Sequence, residues 1–147
     1  MASERFSNAL KNLGGNRSDM LLLDKTIKDL TSKFSYLSGI DLKESERKLV
    51  TWGKVSAKQI SSLMPLIVDF AANARISIEE ATDVIIKGVE GNARALKLYG
   101  INIKEAGNES ERFSLIQSAL SKRVRGSAEI FQNSAAGKVE TYKKQIS

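Results

Sequence analysis

The sequence predicts an all-α protein of five to seven helices, joined by Gly and Asn turns into a helical bundle or a jointed, extended array. The 147 residues include one Pro, and since Pro inside a helix costs about 3 kcal/mol, its scarcity favours long helices. Apolar residues recur at helical spacings through most of the chain. Gly91–Ile101 in addition has the pattern of a short helix, residues 93–99, held between two backbone breaks at Gly91 and Gly100.

The N-terminal part of the chain divides after a Gly-Gly-Asn sequence. Residues 1–19 are expected to be weakly ordered, and residues 20–147 to form the helical domain. Ser18 or Asp19 is expected to cap the first long helix. Its apolar residues alternate at spacings of three and four, as in a heptad seam: Met20, Leu23, Ile27, Leu30, Phe34 and Leu37. Two interpretations are open: the seam packs into its own domain, or it contacts a helix of another subunit.

The next two helices are expected to begin at polar capping residues. Ser38-Gly39 should end the first helix, and Asp41 should cap a second over residues 40–55, with Glu three positions later as in a capping box. Ser56 should start the third by the same pattern. Pro65 lies in the middle of that segment, where we expect it to open a fresh helix rather than kink a continuous one.

Further along the chain, Ser77 followed by two glutamates predicts a capped helix that ends at Gly91. After the short helix, residues 101–104 alternate apolar and polar side chains. We expect an extended linker there whose two Ile side chains enter the core. Asn108 then predicts the cap of a helix that runs to Gly126.

Basic residues gather at the end of this helix: Lys122, Arg123 and Arg125. They either complement the negative C-terminal end of the helix dipole or contact a phosphate or an acidic protein surface. Ser127 should cap a last helix, whose apolar stripe continues to Ile146: Ile130, Phe131, Ala135, Val139, Tyr142 and Ile146. Gly137 interrupts that helix, and a close helix approach would explain it.

The composition removes the usual catalytic and metal-binding groups. The chain has no Cys and no His, so it cannot build Ser–His or Cys–His catalysis or a thiolate metal site. Pairs of acidic residues occupy the first turns of predicted helices, where capping explains them. We therefore predict no enzyme activity, catalytic residue, metal or cofactor. No 18-residue apolar stretch exists to span a membrane, and no secretory signal opens the chain, so synthesis in the cytoplasm is expected.

Five short pieces between residues 63 and 142 resemble, in their order and spacing, the helical region of bacteriophage tail tape-measure proteins. They are Pro65–Ala72 (PLIVDFAA), Ile76–Ala81 (ISIEEA), Gly91–Lys97 with Gly100-Ile101 (GNARALK, GI), Glu111–Phe113 (ERF) and Ser134–Gly137 (SAAG).

The resemblance implies a structural, non-enzymatic component of the phage tail, made in the host cytoplasm. Such a protein would act in tail assembly through helix-mediated contacts with tail-tube or tail-tip proteins. The heptad seam and the basic helix end are the predicted partner surfaces, and a homo-oligomer is expected. Tape-measure proteins usually have many hundreds of residues, so an excised domain and a short stand-alone virion protein both remain open. The opening at Met1 favours the second.

The alternative function is that of a small basic nucleic-acid-binding or packaging protein. The net charge of +6 permits weak contact with DNA, although basic and acidic residues are interspersed. A helix-turn-helix over residues 79–99 is the best candidate for such a contact, but its second helix is short for recognition of a DNA groove.

Overall fold

The computed structural model describes residues 17–146, and every regular element in that range is an α-helix. The helices are α1 (Arg17–Lys33), α2 (Gly39–Trp52), α3 (Ala57–Ala74), α4 (Ile78–Val89), α5 (Ala93–Lys97), α6 (Glu109–Val124), α7 (Ser127–Asn133) and α8 (Ala135–Ile146). The predicted all-α class is confirmed. Seven helices have seven or more residues, and α5 has five. Within the described range, no helix is both long and apolar enough to cross a bilayer.

The described chain forms two compact units. The first contains the residues up to Pro65 and those from Gln132 onward, and the second is Leu66–Phe131. In the first unit α1 packs against α2, and in the second α4 packs against α5 and α6. The expected weakly ordered segment, residues 1–19, lies outside the described residues except for its last three, which form the first turn of α1.

Two of the predicted helix caps in the first unit were wrong. Ser18 and Asp19 lie inside α1, which begins at Arg17. Ser38 does not close the preceding helix but caps α2: its backbone is extended, and its Oγ accepts a hydrogen bond from the Asp41 N–H at 3.4 Å. Asp41 therefore occupies the first turn, where its charge still complements the helix dipole. The helix ends at Gly53, whose φ of 76° is left-handed.

The third helix is continuous through Pro65, so the predicted break there was wrong. Its start was predicted correctly, because the Ser56 N–H donates to Gln59 Oε1 at 2.8 Å while the Gln59 N–H donates to Ser56 Oγ at 3.1 Å. Four buried apolar residues flank the Pro: Leu63, Met64, Leu66 and Ile67. Burying each of these side chains contributes roughly 1.5–3 kcal/mol, so the four together outweigh the cost of about 3 kcal/mol for one Pro in a helix.

In the second unit two local caps follow the prediction. Ser77 Oγ accepts from the Glu80 N–H at 3.0 Å, and Asn108 Oδ1 accepts from the Glu111 N–H at 2.8 Å. The linker after α5 forms no strand, and of its two Ile side chains Ile101 is buried while Ile103 is half-buried.

The last predicted helix is divided at Ser134, whose Oγ accepts from the Gly137 N–H at 3.1 Å and so caps α8. The prediction of one continuous helix was wrong for this reason. Its apolar stripe is also largely uncovered, because Ile130, Val139, Tyr142 and Ile146 are all exposed. Gly137, in contrast, is buried.

Candidate protein-interaction surfaces

Most of the predicted heptad seam is buried inside the protein. The buried members are Leu23, Leu30, Phe34 and Leu37, all with at most 6% exposure. Packing into the seam's own domain, the first of the two interpretations, accounts for these four, and in this fold they are closed to a partner. Met20 and Ile27 are half-buried, so the predicted contact with another subunit is left with these two residues.

The predicted basic end is exposed at all three positions, Lys122, Arg123 and Arg125. Arg125 uses its Nε and Nη2 to donate to Ser121 Oγ at 3.0 and 2.7 Å. Arg123 Nη2 lies 3.1 Å from the place that a Cβ on Gly100 would occupy. The fold thus brings Arg123 of the basic end close to Gly100, which follows the short helix α5. From the sequence alone, the basic end and the short helix were two separate features.

The short helix α5 is bounded on both sides by a left-handed glycine, as predicted. Gly91 has a φ of 111° and Gly100 a φ of 77°. Each is the turning residue of a Schellman motif. The hydrogen bonds are Asn92 N–H to Lys87 O (2.9 Å) and Gly91 N–H to Gly88 O (3.1 Å), then Ile101 N–H to Leu96 O (3.1 Å) and Gly100 N–H to Lys97 O (2.9 Å). We call residues 91–101 the joint.

The inner side of the joint is fixed by close packing. Leu96 is fully buried, and its Cδ1 lies 2.5 Å from where a Cβ on Gly88 would stand, so only glycine allows this approach. The Tyr99 ring meets Phe70 edge to face with centroids 5.4 Å apart. These contacts leave Ala93, Arg94 and Lys97 of α5 and the following Leu98 exposed.

Two open clefts lie beside the joint and share Ala93 and Ile103. The larger, about 710 Å³, is lined by both apolar and polar side chains, Leu98 among the first and Arg94 and Lys97 among the second. The smaller, about 590 Å³, is lined by the linker that follows, including Lys104 and Glu105. Arg112 closes its inner side, since its Nε donates to Val89 O at 2.7 Å and its Nη1 to Ala106 O at 3.4 Å.

A separate apolar surface lies on α8 in the first unit. Val139, Tyr142 and Ile146 are 50%, 62% and 67% exposed. Their spacings of three and four place them on one face of the helix. We call these three residues the α8 face.

One ionisable group is buried on α2. Glu46 has no exposed surface, and neither carboxylate oxygen has a hydrogen-bond partner among residues 17–146. The pKa of Glu46 is raised from 4.5 to about 8, chiefly by burial and to a smaller extent by the charge of Asp24, while the charge of Lys43 opposes the shift. The sequence contained a signal for this position that was overlooked, because Glu46 shares a helix face with Leu42, Leu49 and Val50 at spacings of four, three and four residues.

No candidate metal or cofactor cluster emerges from these surfaces: among residues 17–146 no group of three or more acidic side chains converges. In comparisons with known proteins, no family model, no curated protein and no solved structure matches this chain.

Proposed function

We propose that this chain is a structural component of a bacteriophage virion, of the tail tape-measure type, that acts in tail assembly by helix-mediated contact with tail-tube or tail-tip proteins. The α8 face is the observation that carries the proposal of a contact surface. Three large apolar side chains on one exposed helix face are typical of a surface that another protein covers. The tape-measure identity itself depends on the sequence resemblance.

The places that the resembling pieces occupy in the fold support a structural role. Pro65–Ala72 lies inside α3 and contributes five buried apolar residues, and Ile76–Ala81 contains the Ser77 cap that starts α4. Gly91–Ile101 is the joint. In this proposal the shared residues build a helical scaffold, and the exposed faces make the contacts with other tail proteins.

The genes beside its own are the first test. We expect them to encode tail-tube and tail-tip proteins. Genes for cell-wall lysis or for genome packaging in those positions would contradict the proposal.

The second test measures binding between the full chain and the tail proteins encoded by those neighbouring genes. We expect the double variant Val139→Asp, Tyr142→Asp to weaken binding at least tenfold, because it places two charges on a surface that must lose water. Lys144→Glu is the matched control: it changes the net charge by the same two units at an exposed position of α8 that lies two or five residues from each member of the α8 face, and it should bind like the wild type. Equal binding by all three proteins would remove the α8 face from the proposal.

The alternative, a nucleic-acid-binding or packaging protein, is favoured by one observation: Lys122, Arg123 and Arg125 are exposed together. Binding to duplex DNA at about 50 and about 200 mM salt separates the two functions, since each neutralised phosphate steepens the salt dependence. A packaging role predicts tight binding that falls at least a hundredfold over this range. The structural role predicts weak binding at both concentrations.

A further inference from the structure

The residues that follow the joint leave their backbone groups unused. Residues 102–105 belong to no helix, strand or turn. Within residues 17–146, none of their N–H or C=O groups takes part in a hydrogen bond, whereas the flanking Ile101 N–H and Ala106 C=O do. Three of the four residues are exposed, and Ile103 is half-buried. A row of free donors and acceptors is what a second extended chain pairs with when it adds to a strand edge.

The two clefts lie along this same stretch. Asn102 and Ile103 line the larger cleft, and Ile103, Lys104 and Glu105 line the smaller. A chain paired with residues 102–105 would therefore have space for its side chains in both clefts. Four residues of strand span about 13 Å, enough for a short pairing segment.

The charged and apolar residues around the two clefts indicate which side chains a bound segment would carry. Leu98, 76% exposed, and Ile103 offer apolar surface. Arg94, Lys97 and Lys104 add three cations, and none of them has an ion pair with another residue that the structure describes. Glu105 is the single acid lining either cleft. The matching segment alternates apolar and acidic residues.

We propose that the clefts beside the joint bind an extended segment of a partner protein, with alternating apolar and acidic residues, that pairs through its main chain with residues 102–105. This surface differs from the α8 face, so the proposal stands or falls independently of the proposed function.

Two other occupants fit the surface less well. Nucleic acid would use aromatic rings for stacking, but the nearby Tyr99 ring is engaged with Phe70, and a phosphate backbone has no donors for the free C=O groups. A second copy of this chain carries the same net charge of +6 and would bring like charges to a cationic surface.

The test uses the full chain labelled with ¹⁵N and a blocked heptapeptide of alternating Glu and Val. We expect the peptide to shift the amide resonances of residues 102–105 and of α5. The same peptide with N-methyl groups on alternate residues should bind at least tenfold more weakly, because methylation removes the donors that pair with the linker. Shifts confined to other residues, or equal binding by the methylated peptide, would overturn the proposal.

Charge reversal sharpens this test. In the double variant Arg94→Glu, Lys97→Glu, we expect the Glu–Val peptide to bind about tenfold more weakly and a Lys–Val peptide to bind better than it does to the wild type. The pair Lys28→Glu, Lys58→Glu is the matched control, since both residues are exposed, neither lines a cleft, and the change in net charge is the same. Unchanged preference in the double variant would contradict the assigned chemistry.

Two further measurements distinguish the other occupants and the proposed function. Tighter binding of a single-stranded oligonucleotide at the same resonances, or shifts there on concentrating the protein alone, would replace the peptide by nucleic acid or a second copy. The α8 variants should bind the peptide like the wild type, so loss of tail-protein binding and loss of peptide binding are separate results.

Discussion

The two units contain acidic side chains in opposite surroundings. In the second unit, the carboxylate of Asp69 on α3 accepts hydrogen bonds from the Gly126 N–H at 3.2 Å and the Ala128 N–H at 2.9 Å. In the first unit, Glu46 is fully buried, and neither of its oxygens has a hydrogen-bond partner in the part of the chain that the structure describes. The difference shows that it is the donors around a carboxylate, and not its burial alone, that decide whether the acid supports the fold.

Each acid therefore has a different consequence. Asp69 performs the capping that α7 lacks locally, and it ties together segments almost sixty residues apart in the sequence. Glu46 makes the packing of α2 sensitive to pH. Between about pH 4.5 and 8 the folded chain holds a proton at this site that the unfolded chain has released, so folding becomes less favourable as the pH rises.

The largest expected effect concerns Glu46. Its contribution to stability is fully present below pH 4.5 and is lost as the pH rises through about 8. Because each pKa unit corresponds to 1.36 kcal/mol, the free energy of unfolding should fall by about 5 kcal/mol between pH 4.5 and 9. Urea unfolding followed by circular dichroism across this range measures the change.

Replacing the acid with an amide separates charge from shape. Glu46→Gln should remove this pH dependence and exceed the wild type in stability at pH 9. Glu44→Gln, two residues away on the same helix and partly exposed, should keep the wild-type dependence. A wild-type stability that does not change between pH 5 and 9 would show that Glu46 finds a partner or water in solution, and the contrast with Asp69 would disappear.

The second expected effect is a loss of stability, whereas Glu46→Gln should raise stability at pH 9. Asp69→Ala leaves two N–H groups at the start of α7 without an acceptor, and we expect it to lower the free energy of unfolding by about 2 kcal/mol. Amide hydrogen exchange should show faster exchange at Gly126 and Ala128 first. Asp69→Asn keeps one acceptor oxygen and should lose about half as much. A stable Asp69→Ala variant with unchanged exchange would mean that solvent caps α7 equally well.

These two acids also show what sequence reasoning can reach. Two caps whose partners lie three residues away, Ser77 and Asn108, were predicted because the pattern is local, although the equally local caps at Ser38 and Ser134 were missed. The glycines at 91 and 100 were found in the same way. Asp69 gave no such signal, because its partners follow 57 and 59 residues later and only the fold brings them together.

Burial was also predicted only in part. Four of the six residues of the predicted heptad seam are buried, but the same helical periodicity marked Val139, Tyr142 and Ile146, which are exposed. Helical spacing of apolar residues shows which side chains share a helix face. It does not show whether another part of the protein covers that face. The clefts beside the joint were missed for a related reason, since Arg94, Lys97 and the linker come together only once α5 has turned at both glycines.

The smallest expected effect belongs to a third acid, Glu44, which is partly exposed and whose partner is a side chain, Arg47. Its Oε2 accepts from Arg47 Nε at 3.0 Å and lies 2.9 Å from Nη2, with the two side chains 45% and 29% exposed. A double-mutant cycle with Glu44→Ala and Arg47→Ala should give a coupling of about 0.5 kcal/mol, because water competes for both groups. It should shrink further in about 1 M salt, where exposed charges are screened within a few ångströms. Across the three acids, the effect on stability would then be smaller where water reaches the carboxylate more easily. A coupling above about 2 kcal/mol between Glu44 and Arg47 would contradict this order.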